Sequence, residues 1–192
     1  MTSSPVRAKR WTRLEYERLV CVGAFGPEDH IELVAGNLLV REPQDSPHMT
    51  AIGLTDEALR AAFGSGWHVR SQGPIALDDE SEPEPDIAVV SGSRRDYAAA
   101  HPTQPVLLVE VADSSLSFDR RRKGSLYARA RVPEYWIVNL IDRVLEVHRN
   151  PQPAAGAVFG WRYAQIRRLS PDETVTPLGA PEARILVADL LP

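Results

Sequence analysis

The chain predicts a single α/β (α+β) domain, and three observations carry that reading. Segment 106–112, VLLVEVA, is a continuous apolar run, the pattern of a central strand buried on both faces. Two hairpins stand on either side of it in the sequence, over 31–40 and 136–149. Three helices announce their starts: Thr12 with Glu15 as a capping box, Ser46-Pro47 with proline at the first position, and Asp119 as an N-cap. At 192 residues the core is large enough to fold alone. Residues 10–150 carry the strongest patterns, and 151–192 read as a C-terminal extension of the same domain.

In chain order, the first helix starts after Thr12, with Trp11 and Tyr16 at hydrophobic-staple spacing, and ends near Gly23. Its apolar residues Leu19, Val20 and Val22 define a core-facing side, on which Cys21 is expected as a buried structural thiol. A hairpin follows: Ile31–Val34, a turn at Ala35-Gly36-Asn37, then Leu38–Val40. The second helix runs from about His48 to Phe63. Trp67–Ser71 and Ile75–Leu77 read as short strands, separated by an acidic stretch from the strand Asp86–Val90. After a polar loop and the apolar strand, the third helix spans Asp119 to about Arg131, where Pro133 ends it. Trp136–Leu140 and Arg143–Arg149 form the second hairpin, and Trp161–Ile166 one more strand.

Composition excludes several classes. No run approaches the roughly 18 apolar residues of a membrane span, and Met1–Arg13 lacks the apolar segment of a secretion signal. A single cysteine rules out an intramolecular disulfide and a cysteine-built zinc site. A cytoplasmic location with no membrane partner is the expectation. The net charge of −4 argues mildly against a protein that coats nucleic acid, yet a local basic patch exists at Arg120-Arg121-Arg122-Lys123, Arg129 and Arg131.

The chemistry-bearing residues are acidic. Glu110 interrupts the apolar strand, where its ionised form is costly unless paired or metal-bound. Asp86 opens a neighbouring strand, and two carboxylates on adjacent strands with retained waters suit Mg²⁺, or Mn²⁺ in its place. The chain has two lysines against twenty arginines, and one of the two is Lys123. On a helix it shares a face with Leu126, Tyr127 and Ala130, so it points at the core. An inward ammonium beside two carboxylates can orient water or stabilise charge developing on phosphorus. Gly124 next to it costs about 1 kcal/mol in a helix interior, which close packing on the sheet would explain. Taken alone, Asp86 is a solvated strand-end residue, Glu32 a surface strand residue and His48 a partly exposed helix-terminal histidine. Glu110 taken alone is a salt-bridged structural carboxylate partnered by Arg120–Arg122.

Segments SEPEPDIAVV (81–90), VLLVEVADSSLSFD (106–119) and KGSLYARARVPEYWIVN (123–139), with IELVAGNLL (31–39) and SPH (46–48), resemble one large bacterial family. It is the restriction-endonuclease-like family, once catalogued as a domain of unknown function, within the PD-(D/E)XK nuclease superfamily. The resemblance implies a mixed β-sheet flanked by helices, with Asp86, Glu110 and Glu32 as acidic metal-site residues and His48 lining the site. The superfamily's usual lysine position is Ala112 here, and Lys123 matches variants whose lysine has moved to the following helix. Ala35-Gly36 departs from a frequent Asp-Gly turn, Arg131 stands where glycine is common, and Asn139 where aspartate is common.

Three readings stand. The first is a metal-dependent endonuclease acting on DNA, with homodimerisation through the 136–148 hairpin as one way to cut both strands. The second is a nucleic-acid-binding or assembly module that keeps the fold without efficient catalysis. The third is a structural network in which Arg120 or Lys123 neutralises Glu110.

Overall fold

A computed structural model describes residues 7–26, 29–41 and 43–192. Its centre is a six-stranded sheet in the order β3-β4-β5-β6-β7-β8, formed by Trp67–Ser71, Ile87–Ser91, Leu107–Ala112, Glu134–Asn139, Val144–Pro153 and Trp161–Leu169. All neighbours run antiparallel except β5 and β6, which are parallel, so the sheet is mixed as expected. A parallel pair needs a crossover, and the helical segment between β5 and β6 supplies it.

Helix α2 (Ser46–Phe63) is capped by Asp45, whose carboxylate accepts from the His48 N–H at 3.0 Å. It buries Ile52, Leu59 and Phe63 against Val109, Val111 and Val147 on one face of the sheet. Side chains alternate along a strand, so Leu108, Glu110 and Ala112 face the other way. That second face is covered by Leu116, Leu126, Tyr127 and Ala128 of the crossover. Every residue of β5 is buried, as the apolar run predicts. Leu169, Val175, Ile185, Val187 and Leu190 from the C-terminal segment join the core beneath α2, and β8 is a full strand of the sheet.

Outside the sheet, β1 (Ile31–Val34) and β2 (Asn37–Val40) form the expected hairpin. Ala35 and Gly36 both take positive φ, 46° and 74°, the twist a two-residue hairpin turn requires.

The structure corrects five expectations. Helix α1 (Arg13–Cys21) forms with its capping box, but only Tyr16 is buried; Val20, Val22 and Cys21 are exposed. It rests on the body through Tyr16, whose hydroxyl donates to the Ile31 carbonyl at 2.7 Å. Ile75–Leu77 is not a strand: Ile75 and Ala76 are buried, yet their N–H groups donate to two separate segments, at Pro83 and Pro102. Asp119 is not an N-cap. The helical crossover starts at Leu116, because Ser115 already takes helical angles and accepts from the N–H groups of Phe118 and Asp119. It then runs as α3 (Leu116–Phe118), a π-helical turn (Asp119–Lys123) and α4 (Gly124–Arg129). The β6–β7 hairpin is no sheet edge, since β5 and β8 flank it, so it offers no free strand to a second copy. Finally, Arg120 ties to Glu146 and not to Glu110.

Candidate active site

Asp86 stands where the chain enters β4, and Glu110 lies four residues into β5. The two strands pair directly, with Ile87 opposite Val109. The Asp86 N–H donates to Glu110 Oε2 at 3.3 Å, and the Val111 N–H donates to Asp86 Oδ2 at 2.8 Å. Each acid thus sits on the other strand's backbone, both almost fully buried.

Lys123 comes in from the π turn. Gly124 N–H closes that turn on the Asp119 carbonyl, five residues back. A Cβ at Gly124 would stand 3.3 Å from that carbonyl and 3.7 Å from the Tyr135 ring, so glycine permits the close approach. Lys123 is buried, as the shared face with Leu126 and Tyr127 predicts. Its ammonium donates to Glu32 Oε2 at 2.6 Å and lies 3.2 Å from Glu110 Oε1. Burial works against the charge on Lys123, but Glu110 and Glu32 outweigh it and raise its pKa above the ordinary value. The side chain is a fixed ammonium at neutral pH. Glu32 is buried and not a surface residue: the same oxygen also accepts from the Glu84 N–H at 3.0 Å.

His48 projects from the first turn of α2 and places Nε2 3.4 Å from Asp86 Oδ2. Burial disfavours its charged form, but the Asp86 contact prevails and its pKa is raised. The structure therefore brings Asp86, Glu110, Lys123, Glu32 and His48 together. They line one cleft of about 500 Å³ between the β1–β2 hairpin, the start of α2 and the crossover.

Four further groups belong to this cleft or its wall. Arg41 donates to Asp86 Oδ1 at 2.6 Å, and Gln44 donates to the same oxygen at 3.1 Å. Both sit on an irregular segment between β2 and α2, with no periodicity to mark them. Tyr127 OH donates to Glu110 Oε1 at 2.5 Å, which the sequence concealed as one more apolar-face residue. Asp119 lines the cleft, nearly buried, held by Ser115 Oγ at 2.5 Å. Its carboxyl is pushed up to about 8, first by burial and then by Glu110. Glu110 is raised chiefly by burial, whereas Asp86 is lowered despite burial because His48, Arg41 and the Val111 N–H favour its charge.

Charge in the cleft is unbalanced. Among the described residues Glu32, Asp45, Asp86, Glu110, Asp113 and Asp119 line it with two permanent cations, Arg41 and Lys123. Burial raises Glu110 and Asp119 first, and the neighbouring carboxylates add to it. An all-oxygen donor set with negative charge to spare and open volume for waters fits a hard divalent cation. Among the described residues no three His, Cys, Asp or Glu side chains converge closely enough to enclose one. The fit is therefore to a hydrated ion held by two carboxylates.

No curated protein matches the chain. Its fold is that of a protein of known structure described as a putative nuclease belonging to DUF820 from Anabaena variabilis. The two superpose with a TM-score of 0.71 over 94% of this chain and 97% of that one, at 15% identity. A family model matches residues 14–188. The chain belongs to the Uma2 family, whose description is putative restriction endonuclease.

Proposed function

We propose that the protein hydrolyses phosphodiester bonds in DNA with the help of a divalent cation, Mg²⁺ or Mn²⁺. One observation carries the reading: Asp86 and Glu110, on paired strands, share a cleft with a buried ammonium 3.2 Å from Glu110. Family membership gives the same direction. Asp86 and Glu110 would hold the ion, which when bound lowers the pKa of a coordinated water and screens phosphate charge.

The chain's own residues do the rest. Lys123 remains protonated, so it orients the attacking water and stabilises charge developing at phosphorus. Glu32 anchors that ammonium through Oε2 and adds negative charge to the ion's surroundings. Tyr127 and the Asp86 N–H hold the Glu110 carboxylate in one orientation. His48 and Arg41 flank Asp86 at the cleft, where a phosphate would meet positive charge.

A second reading, a binding module without efficient catalysis, draws on the same Arg41. Its guanidinium, with Gln44, occupies Asp86 Oδ1. A plasmid-nicking assay with Mg²⁺ and Mn²⁺ separates the two. Metal-dependent nicking by the wild type, lost in Asp86→Asn, is expected. Retained DNA binding without nicking in either protein supports the second reading and overturns the first.

A further inference from the structure

The basic patch divides once its partners are known. Lys123 is consumed inside the cleft, Arg120 is tied to Glu146, and Arg129 donates to Asp78 at 2.7 Å. Among the described residues Arg121, Arg122 and Arg131 have no carboxylate within salt-bridge distance, although the chain as a whole is acidic. Arg121 is exposed, whereas Arg122 and Arg131 are laid against aromatic rings. The Arg122 guanidinium carbon lies 6.0 Å from the Phe118 ring centre and 5.6 Å from that of Phe159. The Arg129 guanidinium carbon is 5.3 Å from Phe159, and that of Arg131 is 5.6 Å from Trp161.

These contacts are built by the fold. Ser125, buried in α4, donates to the Trp161 carbonyl at 2.7 Å and accepts from the Phe159 N–H at 2.9 Å. That clamp draws the β7–β8 connection over α4 and sets its rings beside the arginines. Phe118 also lines the cleft, so the layer Phe118–Arg122–Phe159–Arg129 starts at the cleft wall and leads away from it.

One detail marks Arg122 as a donor with capacity to spare. Its Nε is buried with no hydrogen-bond partner among the described residues, a state that normally costs about 1–3 kcal/mol. The φ of +59° at Arg131 belongs to the end of α4, where the Val132 N–H donates back to the Tyr127 carbonyl. A guanidinium stacked on a ring keeps its plane and presents its N–H fork edge-on, the geometry that pairs bidentately with phosphate. Because the ring faces are already covered by guanidinium, bases have no platform there.

We propose that this Arg–aromatic layer is a phosphate track, holding the backbone of the nucleic acid on one side of the bond to be cut through Arg122 and Arg131. It rests on the nuclease reading for its substrate class. The track positions without reading sequence, as backbone contacts do.

The test is binding of a labelled 20-base-pair duplex, without divalent cation so that nothing is cut, across a salt series. Each lost phosphate contact lowers the slope of log affinity against log salt by about 0.9. Arg122→Gln with Arg131→Gln is therefore expected to lower it by about 1.8, equally for unrelated sequences. Arg131→Gln alone, at an exposed position that threatens folding least, is expected to lower it by about 0.9. Arg95→Gln, in the 3-10 turn after β4 and far across the sheet from β8, serves as the control. Slopes equal to wild type in the double variant overturn the track, as does a wild type that binds no duplex. Metal-dependent nicking, scored separately, decides the nuclease reading: a protein that nicks but keeps its slope in the double variant refutes only the track.

Discussion

Replacing Lys123 by Met removes the ammonium while keeping an unbranched chain of similar length. Two buried carboxylates then lose their counter-ion, since Lys123 serves Glu32 at 2.6 Å and Glu110 at 3.2 Å. Breaking a buried pair from one side costs about 3–5 kcal/mol. For a chain of this size about 1 kcal/mol shifts Tm by about 2–4 °C, so Tm is expected to fall by about 6–20 °C. The penalty carries a pH signature. Glu110 is already raised by burial and rises further without the ammonium. A carboxyl with a raised folded pKa holds a proton that the unfolded chain has lost, so stability falls as pH rises through that interval. The difference between variant and wild type should thus be small in acid and grow toward neutrality. Cleavage is measured by single-turnover nicking at a temperature where both proteins are folded. Loss of one preorganised group at a developing charge costs about 10²–10³ in rate. Destabilisation with a nicking rate within threefold of wild type would reduce Lys123 to a structural counter-ion. A pH-independent stability difference would refute the pairing itself.

Two further outcomes follow from the raised carboxyls. Affinity for Mg²⁺, measured calorimetrically, should climb by up to about tenfold per pH unit between roughly pH 6 and 8 as Asp119, pushed up to about 8, gives up its proton. Proton release on binding checks this, and an affinity flat with pH would remove the excess-charge account of the cleft. Away from the site, Glu82 is buried with Oε2 unpartnered, its pKa pushed up to about 7 by burial and then by Glu17. Between pH 4.5 and 7 it should cost the wild type about 3 kcal/mol of stability, a slope that Glu82→Gln removes; equal slopes in chemical denaturation would contradict it.

How much of this was legible follows from the physics of each signal. The central strand was readable because burial on both faces leaves no room for polar residues, so Glu110 stood out as the exception. Lys123 was readable because it shares a helix face with Leu126 and Tyr127, and because a chain that writes its cations as arginine had a cheaper choice there. Asp119 was misread because one residue type serves both as a helix cap and as a buried acid. Only the backbone angles of Ser115, which start the helix three residues earlier, distinguish the two roles. The face of α1 was misread for a related reason: apolar spacing marks a side that can be buried, and of this one the described residues bury Tyr16 and leave Val20 and Val22 exposed. Arg41 and Gln44 were invisible, since an irregular segment has no period and twenty arginines give none of them distinction.

The same limit explains why the basic patch changed meaning. In sequence, Arg120, Arg121, Arg122, Lys123, Arg129 and Arg131 are one positive cluster. In the fold, Lys123 is turned inward by the π turn, and Arg120 and Arg129 are discharged by Glu146 and Asp78. Among the described residues Arg121, Arg122 and Arg131 remain, the last two held by rings at the entry to β8, more than twenty-five residues away. Charge clustering along a chain measures composition. Charge left over after pairing is what a phosphate can feel, and only tertiary structure performs that subtraction.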